Sequence, residues 1–296
     1  MSAPTPLTPE LLRGMPLPDH SEGADKNSRG RVLLIAGSRE VPGAALLTAL
    51  AALRAGAGKV QIAAPAGAAP HLAMAMPEAL VTPLAETEAG GIDPAEAAAL
   101  ARRCASADVV VLGPGMMDPP ALAALTHRLM ETAEGEASFI LDAGALAALD
   151  GCRAALRRHA GRLVLTPHIG EMCGLLGCDA AEIAADPLAA ARCAAAAFGA
   201  VVDMKGGRSF VASPQGEAWS CDRGNIGLAT SGSGDTLAGI VAALVARGAP
   251  PLRATLWGVF LHAEAGDRLA RRIGPLGYLA REIPDEVPGI MASLAD

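Results

Sequence analysis

The sequence predicts an α/β fold, a mainly parallel sheet with helices on both faces, and three observations carry the prediction. Short apolar runs recur at 60–63, 79–82, 109–112, 139–141, 163–165 and 201–204, and Ala/Leu-rich helical stretches alternate with them. The runs are continuous rather than alternating, as strands covered on both faces must be. Hydrophobic residues make up 51% of the 296 and charged residues 19%, which is enough to fill a large interior.

Taken in order, residues 1–25 hold Pro4, Pro6, Pro9, Pro16 and Pro18 around one short apolar turn, Leu11-Leu12. This reads as an arm, docked or partly disordered. From Arg31 the segment VLLIAGS is a buried strand, followed by a glycine turn and a helix over 42–55. After Lys205 two short strand-like pieces, 209–212 and 217–220, flank Pro214-Gln215-Gly216 and read as a hairpin. A Gly-rich loop follows, then a helix from Asp235, another over 251–273, and a final helical turn or two near Leu279. With no repeat or linker inside it, 26–296 reads as one domain.

Composition excludes several classes of function. Aromatics are 2% and the formal net charge is −7, so neither a stacking platform nor a basic face for nucleic acid is present. The charge-poor run 60–77 is interrupted by Pro65, Gly67, Pro70 and His71, which argues against a membrane span. The N-terminus shows no secretory pattern, and six cysteines without a CxxC pair read as reduced thiols of a cytoplasmic protein.

The chemistry concentrates in the stretch 224–248, GNIGLATSGSGDTLAGIVAALVARG. Gly232, Ser233 and Gly234 free the backbone to turn successive amides into a nest, and the following helix adds its unpaired N–H groups and dipole. Such a loop suits an anion such as a phosphoryl group. Asp235 is either a helix cap or a base beside that anion hole.

Ligands of open α/β sheets sit beyond the carboxyl ends of the strands. Those ends offer Gly37-Ser38 with Pro42-Gly43-Ala44, then Gly113-Pro114-Gly115, Asp142, His168 with Glu171, and Lys205. Each has a plain alternative: a tight turn at 113–115, a cap at Asp142, a chance pair at 168 and 171. Lys205 bordering a buried strand calls for an anionic partner. No phosphate-binding G-x-x-x-x-G-K-[ST], dinucleotide fingerprint or nucleophile elbow is present.

Assembled, KNSRGRVLLIAGS with PGAA, VLGPGM, LDAGAL, LTPHIGEM, DMKGG, GNIGLATSGSGDTLAGI and LHAEAGD resemble, in that order, the ADP- or ATP-dependent NAD(P)H-hydrate dehydratases. These are a branch of the ribokinase-like superfamily, so the resemblance implies a three-layer α/β/α fold over 26–296. It implies ADP-dependent repair of the S-epimer of hydrated NADH or NADPH, with release of AMP and phosphate. Asp235 would take the proton of the ring hydroxyl, and Gly232, Ser233 and Gly234 would stabilise the transferring phosphoryl group.

By the same resemblance Ala44, Gly115, His168 and Asp235 line the hydrated-nucleotide pocket. Lys205, Gly206, Gly207, Arg208, Ser209 and Gly234 surround the activating ADP, and Glu171 orders Mg²⁺ through water. The chain departs from the pattern at Ile169, Ile226, Ser231 and the turn Arg39-Glu40-Val41-Pro42, none of which removes a proton-transferring group. A homotetramer and a functional partner, the NAD(P)H-hydrate epimerase, are implied; the epimerase is not fused, since only about 25 residues precede the match. A superfamily kinase acting on an alcohol is the alternative, and a silent nucleotide sensor is a third reading.

Overall fold

The computed structural model describes residues 3–19, 25–149 and 151–295; the outermost and the 20–24 positions of the expected arm lie outside them. The strands are β1 (Thr5–Pro6), β2 (Arg31–Ile35), β3 (Lys59–Pro65), β4 (Leu80–Leu84), β5 (Val109–Leu112), β6 (Ser138–Leu141), β7 (Leu163–Leu165), β8 (Val201–Met204), β9 (Ser209–Ala212) and β10 (Ala218–Cys221). They form one sheet in the order β1-β10-β9-β8-β7-β6-β5-β2-β3-β4. From β4 to β8 every pairing is parallel, and the β9–β10 hairpin adds the antiparallel exception.

Successive side chains of a strand point to opposite faces, and the two cores divide accordingly. Val32, Leu34, Val109, Val111, Ile140 and Val164 join one core with the helices Gly43–Arg54, Ser233–Ala246, Pro251–Arg272 and Ile283–Ala295. Leu33, Ile35, Val110, Leu112, Phe139 and Leu141 join the other, under Ala97–Cys104, Pro119–Thr132 and Pro187–Phe198. Helices therefore cover both faces, the three-layer arrangement that the strand pattern predicts. No helix among the described residues is long and apolar enough to cross a membrane.

The arm docks on the body. Thr5 and Pro6 pair in parallel with Trp219 and Ser220 of β10, Leu12 is fully buried, and the Trp257 indole N–H donates to the Met15 carbonyl at 2.8 Å.

Several expected bounds shift by a residue or two, and the larger changes are these. The 79–82 strand begins and ends later, at Leu80–Leu84, and the second hairpin strand is Ala218–Cys221. The final helical turn is a thirteen-residue helix, Ile283–Ala295, preceded by a 3-10 turn at Ala280–Glu282. The helix expected from Asp235 begins at Ser233, because Gly232 takes the N-cap position with φ of +88°. A side chain at Gly232 would be strained at that angle and would run into Leu47 Cδ1. That close approach fixes the start of one helix against the body of its neighbour, Gly43–Arg54.

Candidate active site

The parallel strands β2, β5, β6, β7 and β8 end on one edge of the sheet, and the residues picked from the sequence stand along it. Gly115 follows β5 and packs on the first turn of the helix after β2: a Cβ on Gly115 would come within 2.6 Å of Ala44 Cβ and of the Val41 carbonyl. Its φ of +66° is a second reason for glycine there. Asp142 follows β6, Thr166 and His168 follow β7, and Lys205 follows β8. Three strand spacings of about 4.8 Å, roughly 14 Å, separate the ends of β5 and β8 along that edge.

Asp142 caps nothing. The short helix after it, Gly144–Ala147, has Ala143 at its N-cap and no side-chain cap. Asp142 is 1% exposed, and its Oδ1 accepts from Thr166 Oγ1 at 2.7 Å and from Lys205 Nζ at 2.8 Å. Glu171 Oε2 is a further 3.8 Å neighbour of that ammonium. Burial by itself would lower Lys205, but Asp142, Glu171 and Asp203 carry it above its ordinary value, so it stays a cation. Its ammonium rests against Gly234, where a Cβ would sit 3.3 Å from Nζ.

His168 and Glu171 form a capping box at the start of the helix Ile169–Leu176. The Glu171 amide donates to His168 Nδ1 at 3.2 Å, and the His168 amide donates to Glu171 Oε2 at 2.8 Å. With Nδ1 accepting, the ring proton belongs on Nε2, 3.5 Å from Glu171 Oε1. The three-residue spacing thus has a structural cause, and it also sets Glu171 beside Lys205.

Asp235 lies in the first turn of Ser233–Ala246 and makes no cap. Burial, with Asp142 and Glu171 nearby and Lys205 opposing, pushes its carboxyl up to about 6. The Ser233 amide donates to the Thr230 carbonyl at 3.2 Å. First-turn amides have no acceptor in a preceding helical turn, and Gly234 and Asp235 contribute two of them. Ser233 is held from behind by His262, whose Nε2 lies 3.0 Å from both the Ser233 hydroxyl and its carbonyl. A carbonyl only accepts, so Nε2 carries the proton; burial pushes His262 down to about 4 and keeps it neutral.

Beside this row opens a cavity of about 670 Å³, in the range of small-molecule sites. Its wall includes His168, Lys205, Gly206, Gly207, Ser209, Ser233 and Gly234 of the expected residues. Arg208 is turned elsewhere, to Asp222 Oδ1 at 2.6 Å and Ser220 Oγ at 3.0 Å. Ala44, Gly115, Gly232, Glu171 and Asp235 stand outside that wall. Asp235 is next in the chain to Gly234, which is on the wall.

The sequence reading passes over several members. Arg223, Gly224 and Asn225 are wall residues, and Asp267 holds the loop: its carboxylate accepts from the Gly224 amide at 3.1 Å and from Asn225 Nδ2 at 3.0 Å. The GNIG and LHAEAGD segments hold these partners, so their pairing was the available signal. Asp203, fully buried in β8, has no partner for either oxygen among the described residues, and burial pushes it up to about 7. An acid inside the apolar run VVDM, two residues before Lys205, was its signal.

The model of the NAD(P)H-hydrate dehydratase family matches residues 32–289. The chain belongs to that family. This dehydratase-family chain is 50% identical over 289 residues to the ADP-dependent (S)-NAD(P)H-hydrate dehydratase of Xanthomonas campestris, covering 97% of this chain and 96% of that one. A crystal structure of the ADP/ATP-dependent NAD(P)H-hydrate dehydratase of Bacillus subtilis, co-crystallised with ATP/Mg²⁺, superposes with a TM-score of 0.80 at 28% identity, covering 99% of each chain. A ribokinase-like superfamily protein of Enterococcus faecalis matches with a TM-score of 0.80 at 25% identity, over 98% of this chain and 96% of that one. The three-layer fold is therefore ribokinase-like.

Proposed function

We propose that the chain dehydrates the S-epimer of hydrated NADH or NADPH at the expense of ADP, releasing AMP and phosphate. One observation carries this: the raised carboxyl of Asp235 stands where the Lys205 ammonium and the first-turn amides of Ser233–Ala246 converge. A carboxylate near 6 is deprotonated at neutral pH yet basic enough to accept a hydroxyl proton in the transition state.

Asp235 takes the proton of the ring hydroxyl as its oxygen bonds to the β-phosphorus of ADP and AMP leaves. The amides of Gly234 and Asp235, with Lys205 beside them, meet the charge that develops on the transferring phosphoryl group. The ring C–O bond then breaks, phosphate departs, and the neighbouring ring carbon loses a proton to restore the dihydronicotinamide. ADP occupies the cavity walled by Lys205, Gly206, Gly207 and Ser209, and the hydrated ring lies toward Ala44, Gly115 and His168.

Glu171 suits Mg²⁺ held through water, since Mg²⁺ takes one or two carboxylates and fills its shell with waters and phosphate oxygens; no group of three metal-binding side chains occurs among the described residues. When bound, the ion would neutralise phosphate charge. The same reading makes 26–296 the catalytic unit of a cytoplasmic homotetramer that works with an NAD(P)H-hydrate epimerase.

The test is return of the near-ultraviolet absorbance of the dihydronicotinamide when hydrated NADH is mixed with protein, Mg²⁺ and ADP. Return with ADP, lost in Asp235→Asn, supports the reading. A flat trace with ADP and with ATP, while ATP is consumed on an added alcohol, would replace it with a kinase.

A further inference from the structure

Behind the nucleotide cavity, between the arm and the last two long helices, lies a second and smaller one of about 170 Å³. Arg13, Arg223 and Arg268 are on its wall, with Glu264, Phe260 and Ser293. Arg223 is the residue that both cavities share. Its guanidinium lies over the Phe260 ring, 4.9 Å from the centroid, and bonds Glu264.

The charge here is out of balance. Arg268 and Arg271 also reach Glu264, at 3.5 and 3.4 Å, so three guanidiniums converge on one carboxylate. Arg13 has Glu10 at 3.9 Å. The cavity wall itself holds three arginines and one glutamate, Arg271 and Glu10 lying outside it, and Asp267, the next acid on the helix, is turned to the Gly224 amide and Asn225. Among the described residues that wall carries two positive charges in excess, around a partly enclosed space. A guanidinium fork with spare donors matches the oxygens of a phosphate or phosphomonoester. At about 170 Å³ the space is below the usual range of sites for drug-sized ligands, so it suits a small phosphate group rather than a whole nucleotide.

We propose that this second cavity binds a small phosphate-bearing anion and that its occupation weakens nucleotide binding in the first cavity through Arg223. An anion seated on Arg13 and Arg268 competes with Glu264 for Arg223 and draws that guanidinium away from the nucleotide wall. It also brings negative charge toward the phosphates of the nucleotide. Both effects have the same sign. The path is short, because Gly224 and Asn225, next in the chain, are wall residues of the first cavity. The inference rests on the assignment of ADP to the first cavity.

The experiment measures the ADP dissociation constant by calorimetry on the whole protein, with inorganic phosphate or with chloride at matched ionic strength. Phosphate is expected to raise that constant about five-fold or more, the scale of ordinary coupling between sites. Arg268→Ala and Arg13→Ala, neither of them in the nucleotide wall, are expected to keep the phosphate-free affinity and lose the response. Glycerol phosphate run in parallel separates free phosphate from a phosphorylated metabolite as the preferred ligand. If both variants respond as the wild type does, phosphate acts in the nucleotide cavity and the proposal fails. It fails equally if phosphate does no more than chloride. Melting temperature without nucleotide is the second readout: a rise in phosphate that Arg13→Ala abolishes supports the site even if ADP does not bind at all.

Discussion

The ammonium of Lys205, at the end of β8, lies 2.8 Å from a carboxylate oxygen of Asp142, at the end of β6, reaching across the end of β7 between them. Thr166 supplies the hydroxyl that fills the gap, donating to the same oxygen. Three strands are therefore tied by side chains at the point where the helix Ser233–Ala246 begins. The pair is a structural clasp as well as part of the site.

Removing one partner of a buried pair leaves the other uncompensated, at a cost of about 3–5 kcal/mol. Lys205→Met is expected to lose stability on that scale in urea unfolding. Lys205→Met with Asp142→Leu is expected to recover much of it while remaining inactive, and a double variant as unstable as the single would break the argument.

Asp235→Asn is expected to lower turnover by about 10²–10⁴-fold, the usual contribution of a positioned base, with ADP affinity little changed. The wild-type rate should fall as pH drops through about 6, where the carboxyl protonates. Stability runs the other way. A raised carboxyl favours the protonated native state, so its contribution is present below the ordinary carboxylate value and is lost as pH rises to 6. The variant should therefore be more stable than the wild type at pH 7, by on the order of 1 kcal/mol. A pH–rate profile and paired melting curves check both halves.

Asp203 gives a sharper stability test because its oxygens have no hydrogen-bond partner among the described residues. Its carboxyl is raised to about 7, so the wild type loses stability between the ordinary carboxylate range and pH 7. Replacement by a compact apolar residue suited to a strand, Asp203→Val, is expected to stabilise the protein at pH 8 by on the order of 1 kcal/mol or more and to flatten that slope. An unchanged or lower melting temperature at pH 8 would show that the carboxylate has a partner in solution.

His262 bears the opposite sign. Its folded value near 4 lies below the ordinary one, so the native state disfavours its protonation and stability falls as pH drops from about 6.5 toward 4. His262→Ala leaves Ser233 without its partner and is expected to cost about 1–3 kcal/mol. The acid limb of its stability curve should be shallower than the wild type's, which melting between pH 4 and 7 will show.

Much of this was legible in local pattern. The strands 109–112, 163–165, 201–204 and 209–212 coincide with the observed β5, β7, β8 and β9 because buried strands are continuous apolar runs. Lys205 was rightly read as needing an anion. Its partner Asp142 is 63 residues away, and no local periodicity connects them. Glu171 and His168 suggested ligands, while the structure shows a capping box whose acid also reaches the lysine.

Two elements among prolines were read too short or missed. The helix Ile283–Ala295 contains Pro284 in its first turn, where no N–H is missed, and Pro288 in its interior, a position that ordinarily interrupts a helix. The strand Thr5–Pro6 is two residues long among prolines, and only its partner β10 reveals it. The resemblance to a family carried the choice of substrate; composition and spacing alone stopped at an anion beside a carboxylate.

The pairing of Thr5–Pro6 with β10 sets an order on synthesis. The first strand made is the last to find its place, because Trp219 and Ser220 leave the ribosome roughly 200 residues later. At about 5–20 residues per second, that is a wait of roughly 10 to 40 seconds. Through that interval the arm's apolar turn, with Leu12, has no groove to enter, and the sheet has no finished edge on that side. The edge closes when the hairpin emerges, and the arm's apolar turn settles only when Trp257 and the helix Ile283–Ala295 have followed it.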